Sequence, residues 1–238
     1  PDPVPFVDEG GVFIKEPSDG RIYHSKEAYT GSRTDWIPGR RTVVLMFNGT
    51  SYPSDVFPAL AKVAESIKAF ANVLPVAFNR YGCDDTGPIR ELIGDKPDLI
   101  LGFLGFRFIS GPMGGSSTEA MKLINDLDAP LLRPCFLNRS TEEEWRSRTA
   151  GFQVMEFMIN GFMPELDGGT CIFPVGANEE TEFIEEWGIQ LSEVRIIEDR
   201  LDRLVGKIRG MLRLRDIPKS EKRVAIIGYN YPPGEDNL

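Results

Sequence analysis

Four short apolar segments, each closed by a turn signal, constrain this chain more than any other feature. Thr42-Val43-Val44-Leu45-Met46-Phe47 runs without a charged residue and is broken by Asn48-Gly49. Val73 to Phe78, Asp98 to Phe103 and Pro130 to Pro134 are likewise short and mostly apolar. A strand with one wet face alternates apolar and polar residues. A parallel strand covered on both faces reads as a continuous apolar run, as Thr42 to Phe47 does. Helical patterns lie between them. After Ser54-Asp55, which can cap a helix, Val56, Leu60, Val63, Ile67 and Phe70 recur three or four residues apart. Pro88 to Ile93 predicts a short helix. Ser116 or Ser117 can open another through Ala120, Met121, Ile124 and Leu127.

This alternation over residues 41–135 predicts an α/β chain with a doubly wound, Rossmann-like parallel sheet. Residues 1–40, rich in Pro, Gly and charge, read as an irregular connector. Residues 136–217 read as a looser helical and α/β segment packing with an adjacent domain. In it, Thr141-Glu142-Glu143-Glu144 suits a helix start, because acids in a first turn oppose the dipole. Phe152 to Ile159 predicts a further short helix and Cys171 to Val175 a strand. Ser192 is expected to cap a long helix carrying Val194, Ile197, Leu201, Leu204, Ile208 and Leu212, ended by Pro218. Residues 218–238 then hold a new strand, Arg223 to Tyr229. A buried parallel strand needs a crossover and neighbours after it, so this strand is expected to open a following domain of a longer polypeptide.

Composition removes several functions. The formal net charge of −9 repels nucleic-acid phosphates and anionic lipid, so neither is expected as the main partner. No apolar stretch approaches the roughly 20 residues of a spanning helix, and no membrane span is expected. Cys83, Cys135 and Cys171 are odd in number and widely spaced, which favours a reducing, cytoplasmic compartment over a disulfide framework. His24 is the only histidine, so a histidine-rich metal site is excluded, and a Ser-His-Asp triad, which would have to rest on His24 in a connector, is not expected. The metal-ligating residues are left unknown.

Two stretches are candidates for chemistry. The Gly-rich segment from Gly102 to Ser117 follows a strand and precedes a helix. Gly111, Gly114, Gly115 and Ser116 would let a backbone approach a ligand, and the helix start favours an anion. The segment lacks the spacing of a nucleotide P-loop, so carboxylate arms suit it better than a triphosphate. The alternative is a plain turn-glycine loop. The second stretch is Met163-Pro164-Glu165-Leu166-Asp167-Gly168-Gly169. Glu165 and Asp167, held between Pro and Gly, are candidates to receive a proton or a hydrated cation. The alternative there is an ordinary Asp-Gly turn.

Four segments in order resemble the large subunits of the cobaltochelatase (CobN) and magnesium chelatase H-subunit family. Gly11-Val12-Phe13 with Ile22-Tyr23-His24 resembles that family's Gly-Gly-Ile-Tyr-His opening. Pro38-Gly39-Arg40 before Val43 to Phe47 resembles the start of its α/β domain. Thr141 to Trp145, Gly151-Phe152 and Met163 to Gly168 resemble the segment ending in its PELDG turn. Lys222 to Gly234, with Asn230-Tyr231-Pro232-Pro233-Gly234, resembles its strand and Asn-Tyr-Pro-Pro-Gly loop.

The resemblance implies a slice of a tetrapyrrole-binding subunit of an ATP-dependent metal chelatase. The tetrapyrrole and a divalent metal, Co or Mg, would be substrates, with cobalt favoured by the Tyr-Asn-Tyr-Pro-Pro-Gly form. ATP would be used by separate AAA+ partner subunits, and the product would feed cobalamin-type or chlorophyll-type biosynthesis. Glu165 and Asp167 would then stand near the chelation cleft. An alternative of another class is a two-lobed α/β small-ligand-binding or sensor module, since one fold serves many functions. A third is an acyl- or phospho-transferase using Cys83 or Cys135.

Overall fold

The computed structural model describes residues 11–49, 56–78, 85–94, 96–109 and 116–226. Its strands are β1 (Val12–Lys15), β2 (Ile22–Tyr23), β3 (Thr42–Asn48), β4 (Asn72–Phe78), β5 (Leu99–Gly102), β6 (Leu131–Leu137), β7 (Thr170–Ile184) and β8 (Ile189–Ile196). They form one sheet in the order β2-β1-β4-β3-β5-β6-β7-β8. The five strands from β4 to β7 are parallel. The outer strands run antiparallel: β1 on β4, β2 on β1, and β8 on β7. The expected doubly wound parallel sheet is therefore present.

The order fixes the layers. Chain connections go from β3 outward to β4, then back across β3 to β5, and on to β6 and β7. Right-handed crossovers put helices reached in opposite directions on opposite faces. Helix α2 (Phe57–Lys68) accordingly shares one face with the long C-terminal helix α8 (Glu198–Asp216). Val43, Leu45 and Phe47 meet Leu60, Val63, Ile67, Leu204 and Ile208 there. Helices α3 (Gly87–Ile93) and α4 (Ser117–Leu127) cover the other face, where Val44 and Met46 meet Ile89, Ile93, Ala120 and Leu123. Successive β3 side chains thus alternate between two cores, which is why that segment reads as continuously apolar.

Several expectations need correction. Residues 11–40 are no irregular connector: they supply β1, β2 and helix α1 (Lys26–Gly31) at the sheet edge. Buried Tyr29 of α1 donates to buried Glu16, 3.1 Å away, and Arg33 and Lys68 pair with the same carboxylate at 3.2 and 3.3 Å. The sheet also continues past residue 135 into β7, with register shifts at Leu132/Arg133 and Cys135/Phe136. Ser192 caps nothing, since Ile189–Ile196 is β8 and the helix starts at Glu198. Val194 and Ile196 satisfy a period of 2 on the strand, while Leu201, Leu204, Ile208 and Leu212 carry the helical stripe. Strand β7 runs on to Ile184, nine residues past the expected Val175. Residues 222–226 form no strand, with Val224 and Ile226 at 81% and 93% exposure; residues 227–238 lie outside the described ones. The proposed cap Ser54-Asp55 also lies outside them.

The Thr141 start holds well. Helix α5 (Glu142–Ser147) has a capping box, the Thr141 hydroxyl accepting from the Glu144 amide and the Glu144 carboxylate from the Thr141 amide. Helix α6 (Val154–Phe157) passes through one π-turn, Met158–Phe162, into α7 (Met163–Glu165). Pro164 contributes to this loosening, because it has no amide hydrogen for the carbonyl four residues back.

Candidate functional site

In sheets of this kind the crevice lies where the strand order reverses, outside the carboxyl ends of the strands. Here that place is between β3 and β5, and a cavity of about 380 Å³ opens there. Phe47 and Asn48 end β3, Phe103 to Phe106 follow β5, and Cys135 and Phe136 come from β6. Val56 and Leu60 close one side, and Asn138, Arg139, Glu156, Ile159 and Asn160 close another. The rings of Phe103 and Phe136 lie 5.0 Å apart at 32°. The lining therefore combines aromatic rings with a comparable share of polar side chains.

Polar contacts fix the far wall. Buried Glu156 accepts from the Arg139 amide and from the Ser140 hydroxyl, both at 3.0 Å, and Arg148 donates to that hydroxyl at 2.6 Å. A helical Met163 amide would bond to Ile159. In the π-turn it reaches Met158 instead, and the carbonyl of Ile159 accepts from the Phe106 amide at 2.8 Å. Phe106 sits at φ +60°, a left-handed conformation uncommon for a residue with a side chain. Strained backbone and π-turns concentrate at functional sites, and here the two are joined by one hydrogen bond.

The two carboxylates expected to act together are separated. Glu165 ends α7 and is exposed. Asp167 is fully buried and accepts from Arg107 Nε at 3.0 Å, from Arg107 Nη2 at 2.9 Å and from the Phe108 amide at 3.0 Å. Burial raises its pKa above the usual carboxylate range, and the Arg107 and Phe108 hydrogen bonds oppose that shift. Asp167 thus clamps the loop after β5 onto the turn after α7. Arg107 also donates to the Ser117 hydroxyl at 2.9 Å, tying that loop to the first residue of α4.

Ser116 is the N-cap of α4, its hydroxyl accepting from the Glu119 amide. Gly111, Gly114 and Gly115 lie outside the described residues. Among those residues no three His, Cys, Asp or Glu side chains gather to hold a metal, and no helix is long and apolar enough to cross a membrane. Cys135 is buried, and burial pushes its thiol up to about 12, which removes it as a nucleophile. Cys83 is not among the described residues.

Sequence reasoning missed Glu156, Asn160 and Arg133. Glu156 and Asn160 have ordinary sequence settings, and their burial follows from the path of residues 138–169. The one available signal was Arg133 itself, a charge inside the apolar run Leu131 to Leu137.

The model for the CobN/Magnesium Chelatase family matches residues 1–238. The chain belongs to this family. The magnesium-chelatase H subunit of Chlorobaculum parvum is 30% identical over 148 residues, covering 60% of this chain and 11% of that protein. The chloroplastic magnesium-chelatase subunit ChlH of Oryza sativa subsp. indica is 24% identical over the whole chain, covering 17% of its own length. Aerobic cobaltochelatase subunit CobN of Pseudomonas aeruginosa is 25% identical over 90% of the chain and 17% of its own length. Among solved structures, the catalytic subunit of cobaltochelatase from Mycobacterium tuberculosis superposes with a TM-score of 0.59 at 18% identity, over 78% of this chain and 16% of that one. The chain therefore spans between 11% and 17% of the length of these relatives. The likeness to the Mycobacterium tuberculosis structure is one of fold.

Proposed function

We propose that this CobN/magnesium chelatase family chain contributes to the tetrapyrrole-binding large subunit of an ATP-dependent metal chelatase. The tetrapyrrole and a divalent metal are its substrates, with cobalt favoured over magnesium. ATP is hydrolysed by separate AAA+ subunits in the cytoplasm. The supporting observation is the aromatic-lined crevice of about 380 Å³ at the carboxyl ends of β3, β5 and β6. Its Phe103–Phe136 pair offers flat apolar surface to the edge of a macrocycle, and Asn138, Arg139 and Asn160 offer polar contacts to the rim.

Metal insertion requires two pyrrole N–H protons to leave and the metal to shed water. An exposed carboxylate is suited to both, and Glu165 is exposed beside the π-turn. Asp167 keeps its place in this reading as a positioning residue, since both its oxygens serve Arg107 and Phe108. Glu165→Gln in the intact large subunit, assayed with its ATPase partners, is expected to lower chelation by about a hundredfold, the usual scale for a proton-transfer group. Tetrapyrrole affinity, read from the visible absorption band, should stay unchanged. Full chelation by the variant removes Glu165 from this role. No shift of the band on titrating the wild-type subunit removes the tetrapyrrole reading.

A further inference from the structure

Arg133 is the least expected side chain in the molecule. It lies in the middle of β6 and is 4% exposed. Its stem passes Gly169, where an added Cβ would stand 2.6 Å from Cγ and 2.7 Å from Cδ. Its head reaches the end of β5, where a Cβ on Gly102 would stand 2.5 Å from Nη1. Two glycines thus make the channel in which this side chain lies. Nothing with a side chain fits at either position while the guanidinium is in place.

The charge in that channel is not matched. Nε has no hydrogen-bond partner among the described residues. Asp167, whose charge favours the guanidinium, is already bonded to Arg107 and Phe108. Two guanidiniums therefore share one carboxylate. Burial lowers the Arg133 pKa to about 10, which still leaves it charged at neutral pH. A buried charge without a partner is strongly unfavourable, and a ligand that brought a counter-charge would relieve it. We propose that Arg133 is the anchor for a carboxylate arm of the bound substrate, taken at the carboxyl end of β5, where the guanidinium lies over Gly102.

A monoanion fits better than a phosphate. Among the described residues no ion pair is formed by Arg133, and a dianion would also face the Asp167 carboxylate. The fork of a guanidinium matches the two oxygens of a carboxylate. The identification of that arm as a tetrapyrrole side chain rests on the function proposed above. The existence of a carboxylate site at Arg133 does not.

The test uses the intact polypeptide carrying this chain, as wild type, Arg133→Met and Arg133→Lys. The first measurement is the melting temperature in sodium propionate, sodium phosphate and sodium chloride at equal ionic strength. Propionate should raise the wild-type value above that in chloride and leave Arg133→Met unmoved, with Arg133→Lys between them. In chloride, Arg133→Met should melt no lower than wild type, since it fills the channel without a buried charge. A lower melting temperature or failure to fold marks Arg133 as a structural residue and overturns the proposal. So does equal stabilisation of both proteins by propionate, or a larger effect of phosphate.

The second measurement is binding of protoporphyrin IX and its dimethyl ester. The free acid should lose about tenfold or more in affinity on Arg133→Met, the scale of a charge-assisted pair, and the ester should bind both proteins alike. Equal binding of the free acid by both proteins sinks the assignment and leaves the tetrapyrrole reading standing. Arg133-dependent stabilisation by propionate with no porphyrin binding has the opposite meaning: the carboxylate site stands and the tetrapyrrole reading falls.

Discussion

The middle of the sheet and its β7–β8 edge are built on different principles. In β4, β5 and β6 every residue is buried. In β7 only the stretch Pro174 to Ala177 is buried, and in β8 only Val194. Beyond those residues the two strands leave the body as a hairpin, with Phe183, Trp187, Ile189 and Leu191 between 40% and 66% exposed. It even sets Glu179 directly opposite Glu193, a like-charge pair that a tightly packed sheet would avoid. Between the two regions, residues 138–169 are held mainly by polar contacts: Glu156 with Ser140, Asp167 with Arg107 and Phe108. Apolar burial dominates the centre of the sheet. Buried charge fixes the segment that walls the crevice.

This division predicts that the polar clamp is worth at least as much as a core side chain. Asp167→Ala removes the acceptor shared by Arg107 and Phe108 and takes away the carboxylate whose charge favours buried Arg133. Breaking a buried ion pair from one side costs about 3–5 kcal/mol, and urea denaturation should show a loss near the top of that range. Leu45→Ala, on the central strand and fully buried between α2 and α8, should cost about 3 kcal/mol. A smaller loss for Asp167→Ala than for Leu45→Ala would break the comparison, because the clamp would then be an accessory to burial.

The same division explains what was legible in the sequence. Strands with two covered faces announce themselves as apolar runs, so β3 to β6 and the helices between them were placed correctly. The edges were not. Val12 to Lys15 is too short to show a period, and its partner β4 lies about sixty residues away, so nothing local marks it as a strand. Ala177 to Ile184 is a strand by virtue of β8, while its Asn-Glu-Glu-Thr-Glu composition reads as a loop. Glu193-Val194-Arg195-Ile196 fits both a strand and a helix start, and tertiary pairing chose the strand. Of the site, Glu165 and Asp167 were visible as a rigid acidic turn, but their opposite exposures depend on where Arg107 arrives from a loop some sixty residues earlier. Arg133 carried a signal, a charge in an apolar run, whose meaning appears only once Gly102 and Gly169 are seen to flank it.

The smallest expected effect is at the hairpin tip, and it sharpens the contrast most. Trp187 is 66% exposed in the turn between β7 and β8, so its indole makes no more than a surface contribution to this chain. Trp187→Ser should therefore change stability by no more than about 0.5 kcal/mol. It should also remove the most solvent-exposed tryptophan from the emission spectrum, because Trp36 and Trp145 are half-buried. A loss of 1 kcal/mol or more on the same denaturation curve would mean that the tip packs against the body. The β7–β8 edge would then be held by burial, like the centre of the sheet, and the two principles would reduce to one.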